Sequence, residues 1–263
     1  MKTLRVRDLE MAIVEEGSGL PLVLVHGFPL DHSMWKYQVA ALAQHCRVIA
    51  PDLRGFGATT ATAGTATMEQ MADDLAALLD ELGIQEPILF CGLSMGGYIG
   101  WQFARKYESR LKALVACDTR AIADSAEQAA SRHALAERVL GEGPAPVAEA
   151  MLPKLFAGDT QERRPDLVRE TKQVILGNPP QGIAAALRGL AERPDVTEML
   201  PKIEVPTLVI VGEHDVISTP EEMQGIAEAI PNAAWVVVPQ AGHLSPLENP
   251  DVFNEALAQY ITL

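Results

Sequence analysis

Gly92-Leu93-Ser94-Met95-Gly96 follows a short apolar run, Ile88-Leu89-Phe90-Cys91, and precedes a stretch from Met95 to Tyr107 that reads as a helix. The order is strand, sharp turn, helix, with a serine at the apex: the arrangement known as a nucleophile elbow. A turn this tight forces Ser94 into a strained backbone conformation, and only residues without a Cβ fit beside it where strand and helix approach. The serine hydroxyl is pushed out at the edge of the sheet, and the N–H of Met95 points the same way. A Gly-rich strand-to-helix turn is common in its own right. The weight of the reading therefore lies in what surrounds it.

Around this turn, strands and helices alternate. Leu4–Val6 and Met11–Val14, separated by a charged turn, read as an opening antiparallel hairpin. Leu22-Val23-Leu24-Val25 is a continuous apolar strand of the kind buried on both faces. A helix follows over Met34–Leu42 and another buried strand over Arg47–Ala50. Thr67-x-x-Gln70 fits a capping box, and behind it Met68, Met71, Leu75, Leu78, Leu79 and Leu82 fall on one helical stripe that Gly83 ends. Strands are expected at Ile88–Cys91, Leu111–Cys117, Thr207–Val211 and Trp235–Val238, with helices at Pro220–Ile230 and Pro250–Ile261. Such alternation predicts a mostly parallel sheet with helices on both faces. From Thr119 to Leu200 the rhythm breaks into helical segments without a strand, too long for a loop. The organisation expected is a core of residues 1–118 and 201–263, with a helical cap, 119–200, inserted over the strand ends as a lid.

The chain has 263 residues, 48% of them hydrophobic, and a formal charge of −14. It can bury a full core, and with no basic cluster it offers no surface for nucleic acid or an anionic membrane. Cys46, Cys91 and Cys117 are odd in number and widely spaced, which reads as reduced core thiols rather than a disulfide framework or a metal site. Met1 to Glu16 lacks the apolar core of a signal peptide, and the longest apolar run, Leu20 to Val25, is too short to span a bilayer. A cytoplasmic protein, monomeric or a small homo-oligomer, is expected.

Ser94 needs a base. A serine hydroxyl is a weak nucleophile until an imidazole takes its proton, and the imidazole needs a carboxylate to hold its tautomer and stabilise its charge. His243 lies in the loop Pro239-Gln240-Ala241-Gly242-His243 after one predicted strand; Asp215 lies in Gly212-Glu213-His214-Asp215 after another. Asp118, at the end of the strand Leu111–Cys117, is the competing acid. Attack on a carbonyl puts negative charge on its oxygen, which two fixed N–H donors stabilise best. Met95 supplies one. In His26-Gly27-Phe28-Pro29-Leu30, Phe28 is the natural second, since Gly27 permits the turn and Pro29 has no N–H. His26 is read as bracing that loop. Leu30, close to it in sequence, and Met151, Leu152 and Phe156 in the cap are candidates for the substrate pocket. No H-x-x-x-H spacing, Walker motif or dinucleotide motif appears, so no metal or organic cofactor is called for.

His26-Gly27-Phe28-Pro29, Asp52-Leu53-Arg54-Gly55-Phe56-Gly57, Gly92-Leu93-Ser94-Met95-Gly96-Gly97, Gly212-Glu213-His214-Asp215 and Gly242-His243 together resemble the α/β-hydrolase superfamily. The likeness is greatest to its small carboxylesterases and its 3-oxoadipate enol-lactonase-like members, and runs from about residue 10 onward. The order Ser94, Asp215, His243 is the family's order. The resemblance implies the α/β-hydrolase fold and a serine esterase using a catalytic triad and an oxyanion hole. In the family Asp52-Leu53-Arg54-Gly55 is a structural turn. Haloalkane dehalogenases and epoxide hydrolases carry an aspartate where Ser94 stands, which argues against both.

The expected substrates are short- to medium-chain neutral esters. The cap segment has 10 Lys+Arg against 12 Asp+Glu, and Val139, Met151, Leu152, Leu155, Phe156, Val174 and Ile175 are its expected inward residues. Arg132 and Arg138 keep a carboxylate-bearing lactone open as the alternative, with a cofactor-free perhydrolase and a non-catalytic ligand receptor behind it.

Overall fold

The computed structural model describes residues 1–261; Thr262 and Leu263, the end of the expected segment 201–263, lie outside the described residues. Among the described residues, strands β1 (Lys2–Val6), β2 (Leu9–Glu16), β3 (Pro21–Val25), β4 (Arg47–Pro51), β5 (Ile88–Leu93), β6 (Leu111–Cys117), β7 (Thr207–Gly212) and β8 (Ala233–Val238) form one sheet. Its order is β1-β2-β4-β3-β5-β6-β7-β8. β1 and β2 make the antiparallel hairpin, β2 runs antiparallel to β4, and the remaining pairs are parallel. β3 and β5 are buried along their whole length, as a sheet covered on both faces requires.

The strand order decides where the helices go. The chain steps from β3 to β4 in one direction and from β4 to β5, β6, β7 and β8 in the other. Right-handed crossovers then put α1 (Lys36–Leu42) on one face and α2 (Met68–Glu81), α3 (Met95–Tyr107) and α9 (Pro220–Ala229) on the other. α11 (Pro250–Ile261) packs with α1, and Trp35 meets Phe253 at their junction with ring centroids 6.0 Å apart. The helix expected over Met34–Leu42 is divided: Asp31 caps a 3-10 turn, His32–Trp35, and α1 begins at Lys36. On α2, Thr67 accepts the N–H of Gln70, and the buried face carries Met68, Met71, Leu75, Leu78 and Leu79.

Between β6 and β7 come five helices, α4 (Ala126–Glu142), α5 (Ala145–Leu155), α6 (Thr160–Arg163), α7 (Pro165–Gly177) and α8 (Pro180–Ala191), with no strand. Ser125 and Gln128 form a full capping box at the start of α4. No helix among the described residues is long and apolar enough to cross a membrane. The switch in direction at β3 and β5 is the place where an open parallel sheet binds ligands, beyond its carboxyl ends.

Candidate active site

Ser94 follows β5 with φ 53° and ψ −110°, a conformation few residues other than glycine adopt. The neighbours hold it there. Its N–H donates to the Cys117 carbonyl at 2.9 Å, and its own carbonyl accepts the Thr119 hydroxyl at 2.8 Å. The glycines are needed for space. A Cβ on Gly92 would lie 2.2 Å from the Gly96 carbonyl oxygen, and one on Gly96 would lie 2.2 Å from that of Val25. Met95 is the first residue of α3, so its N–H has no acceptor within the helix. Val25 pairs with Gly92 across β3 and β5, which brings the loop after β3 beside the elbow. His26 braces that loop: Nε2 accepts the Leu53 N–H at 2.9 Å and Nδ1 lies 3.0 Å from the Gly27 carbonyl.

Asp215 and His243 come from the loops after β7 and β8, tied together where the His214 N–H meets the Ala241 carbonyl at 2.8 Å. His243 Nδ1 lies 2.8 Å from Asp215 Oδ2. The other carboxylate oxygen accepts the N–H groups of Ile217 and Ser218, at 2.7 and 3.1 Å. With Nδ1–H facing the carboxylate, Nε2 keeps its lone pair. That atom is buried and has no hydrogen-bond partner among the described residues. Glu248 secures the histidine loop to the insertion: one oxygen accepts the Gly242 N–H at 2.7 Å, the other the Ala157 N–H at 2.9 Å and the Thr160 hydroxyl at 2.5 Å. Burial pushes the Glu248 carboxyl up.

Asp118 also reaches this place. It is fully buried, accepting the Gly212 N–H at 2.8 Å and the Ser245 hydroxyl at 2.5 Å. Burial, and then the charge of Asp215, push its carboxyl well above the usual carboxylate range. Ligating atoms of Asp118, Asp215 and His243 lie within 4.8 Å of one another, as do those of Asp31, His32 and Asp52. Most of these oxygens are already committed to internal hydrogen bonds: Asp52, for one, accepts from the N–H groups of His32 and Ala58 and lies 2.6 Å from His32 Nδ1. Arg54, in the turn expected to be structural, is buried between Asp74 and Asp8 with four contacts of 2.8 Å.

Phe28, Ser94 and Met95 share the wall of a cavity of about 550 Å³. Leu135, Met151, Leu187, Leu190, Val216 and Ile217 supply its apolar lining. Arg120, Arg132 and Lys154 line it as well, against one acid, Glu222. Arg120 Nε lies 2.8 and 2.9 Å from the two Glu222 oxygens. Arg132 is held through Nε by Asp124 at 2.5 Å, and Asp124 also takes the buried Arg193 at 2.7 Å. The Arg193 guanidinium stacks 4.5 Å above the ring of Tyr98, another lining residue.

Of the four pocket residues expected from sequence, only Met151 lines this cavity. Leu30 turns the other way and lines a separate space of about 610 Å³, together with Met34, Leu167 and Val174. Leu152 lies about 100° round α5 from Met151 and packs half-buried against the core. Phe156 ends α5 beneath the histidine loop, where its backbone meets Gly242. Val139, Leu155 and Ile175 are core residues. Arg138 is exposed and pairs with Glu142 one turn along α4. Arg120, Lys154 and Val216 escaped the sequence reading altogether. A signal existed on α4: Gln128, Ser131 and Arg132, with Leu135, line the cavity at i, i+3, i+4 and i+7, a mostly polar stripe that a search for apolar periodicity passes over.

A family model described as the alpha/beta hydrolase fold matches residues 21–250. A 3-oxoadipate enol-lactonase of Acinetobacter baylyi is 30% identical over 257 residues, 97% of this chain and 94% of its own. Among solved structures, a thermophilic esterase from Thermogutta terrifontis with malate bound is 47% identical, with TM-score 0.98, covering 100% of this chain and 98% of that one. An enol-lactonase from Burkholderia xenovorans is 33% identical, with TM-score 0.93 and full coverage of both chains.

Proposed function

Because the chain belongs to the α/β-hydrolase family, we propose that it is a serine carboxylic-ester hydrolase working through an acyl-enzyme, with Ser94 as nucleophile, His243 as base and Asp215 as the acid. The observation that carries this reading is the His243 ring, with Nδ1 against Asp215 and a buried Nε2 that has no hydrogen-bond partner among the described residues. Nε2 takes the proton of Ser94 as its oxygen attacks the substrate carbonyl. The oxyanion forms against the N–H groups of Phe28 and Met95, two backbone donors beside the Ser94 cavity. The imidazolium, steadied by Asp215, protonates the leaving alcohol, and water repeats the sequence to release the acid. The esterase relative supports this chemistry.

The charge of the cavity favours a second reading of the substrate. Arg120, Arg132 and Lys154 against Glu222 leave it positive, whereas neutral esters call for an apolar wall. A guanidinium anchored by a buried carboxylate is a fit for a substrate carboxylate. Carboxylate-bearing lactones or esters are then the better substrates, a reading that the enol-lactonase relatives and the malate in the Thermogutta esterase both favour. The test is a panel of neutral nitrophenyl esters of increasing acyl length beside 3-oxoadipate enol-lactone. Higher kcat/KM for the lactone selects the second reading; higher kcat/KM for a short neutral ester selects the first; no turnover of either defeats both.

A further inference from the structure

Two carboxyls, not one, stand at the imidazole. Asp118 and Asp215 come from the ends of adjacent strands β6 and β7, both are buried, and each offers an oxygen within 4.8 Å of the other and of a His243 nitrogen. Two like charges this close in a dry site do not both ionise. The donors around them decide which keeps the charge. Asp215 receives two backbone N–H groups and the His243 ring. Asp118 receives one backbone N–H, from Gly212, and a hydroxyl, Ser245, which can turn to accept instead. By this donor set, Asp118 is the carboxyl suited to hold the proton. The direction of the Asp118 titration agrees. Burial first, then Cys91, with the Asp118 charge among the lesser causes, push the neighbouring Cys117 thiol well up.

We propose that Asp118 is a positioning residue and the reserve acid of this site: it shares one negative charge with Asp215 and takes that charge over when Asp215 cannot hold it. Its contacts place it for both tasks. Gly212 opens the loop that carries Asp215, and Ser245 lies two residues beyond His243, so Asp118 ties the two loops into one register. No proton passes to it in turnover; the proton from Ser94 stays on the ring until the leaving group takes it.

The proposal rests on the triad reading above, and the experiment separates the two. Steady-state kcat and KM are measured from about pH 5 to about pH 9 for wild type, Asp118→Asn, Asp215→Asn, the double Asn variant and Ser94→Ala. Asp215→Asn should keep a kcat about tenfold or more above that of the double variant, at similar KM. Its acid limb should lie at higher pH than the double variant's, because a neighbouring anion stabilises the imidazolium. Equal kcat and coincident pH profiles for the two would overturn the proposal; so would a lower melting temperature from Asp118→Asn with neither kinetic change. Ser94→Ala with normal turnover would instead defeat the triad reading. Should the double variant fail to fold, the infrared difference spectrum of wild type against Asp118→Asn at neutral pH decides. A neutral-carboxyl band lost with Asp118 supports the proposal, and no such loss contradicts it.

Discussion

The hydroxyl of Thr119 donates a 2.8 Å hydrogen bond to the backbone carbonyl of Ser94. With the Ser94 N–H on the Cys117 carbonyl, the end of β6 grips the Ser94 peptide groups from both sides. A residue at φ 53° persists only where its surroundings over-determine it. Thr119→Val keeps the shape and removes the donor. It should lower kcat about tenfold while leaving KM nearly unchanged, since a small misplacement of the nucleophile costs rate rather than binding. Unchanged kcat would show that the elbow holds without this bond.

Gly96→Ala should be strongly destabilising. The new Cβ would lie 2.2 Å from the Val25 carbonyl oxygen, which is backbone of the central strand β3 and has little room to move. A loss of about 3 kcal/mol is expected, at the upper end of overpacking costs. Chemical denaturation measures it directly.

Arg132→Gln should separate the two substrate readings. If the guanidinium holds a substrate carboxylate, the change raises KM for the lactone about tenfold to a hundredfold, the worth of a charged hydrogen bond, and leaves a neutral ester nearly untouched. Equal effects on both substrates would assign Arg132 to structure alone.

Stability should depend on pH through Asp124. Burial alone would raise its carboxyl, but the hydrogen bonds and charges of Arg132 and Arg193 hold it below its ordinary value. A carboxyl depressed on folding adds stability that is fully present above its unfolded pKa and lost as pH falls through the folded one. The melting temperature should therefore drop on acidification below about pH 4. Asp124→Asn should cost about 3 kcal/mol at neutral pH, because it leaves the buried Arg193 unpaired, and should flatten the acid dependence. A variant with wild-type stability at neutral pH would contradict this.

Ser94, Asp215 and His243, the proposed triad, stand out in the sequence as candidates because each lies in a turn or loop after a strand, where local chemistry and position along the chain carry the information. Asp118 was legible only as a rival to Asp215. That both meet one imidazole depends on the pairing of β6 with β7, which no local pattern encodes. The pocket was the least legible part. Helix periodicity identifies the apolar stripe that packs on the core, as Ala136 and Val139 do on α4, and says nothing of the polar face that the same helix turns toward a cavity. Leu30 failed for a related reason: the loop carries Phe28 to one cavity and Leu30 to another, and two residues of sequence do not reveal the turn.

Covalent acylation of the Ser94 oxygen is the step on which the proposed mechanism turns. Intact-protein and peptide mass spectrometry follows it, after reaction with a fluorophosphonate and after rapid acid quench with a slowly hydrolysed ester. One adduct per chain is expected, located on the peptide that carries Ser94, lost in Ser94→Ala and strongly slowed in His243→Ala. An adduct on another residue, or ester turnover that continues in a protein whose Ser94 is fully blocked, would contradict it.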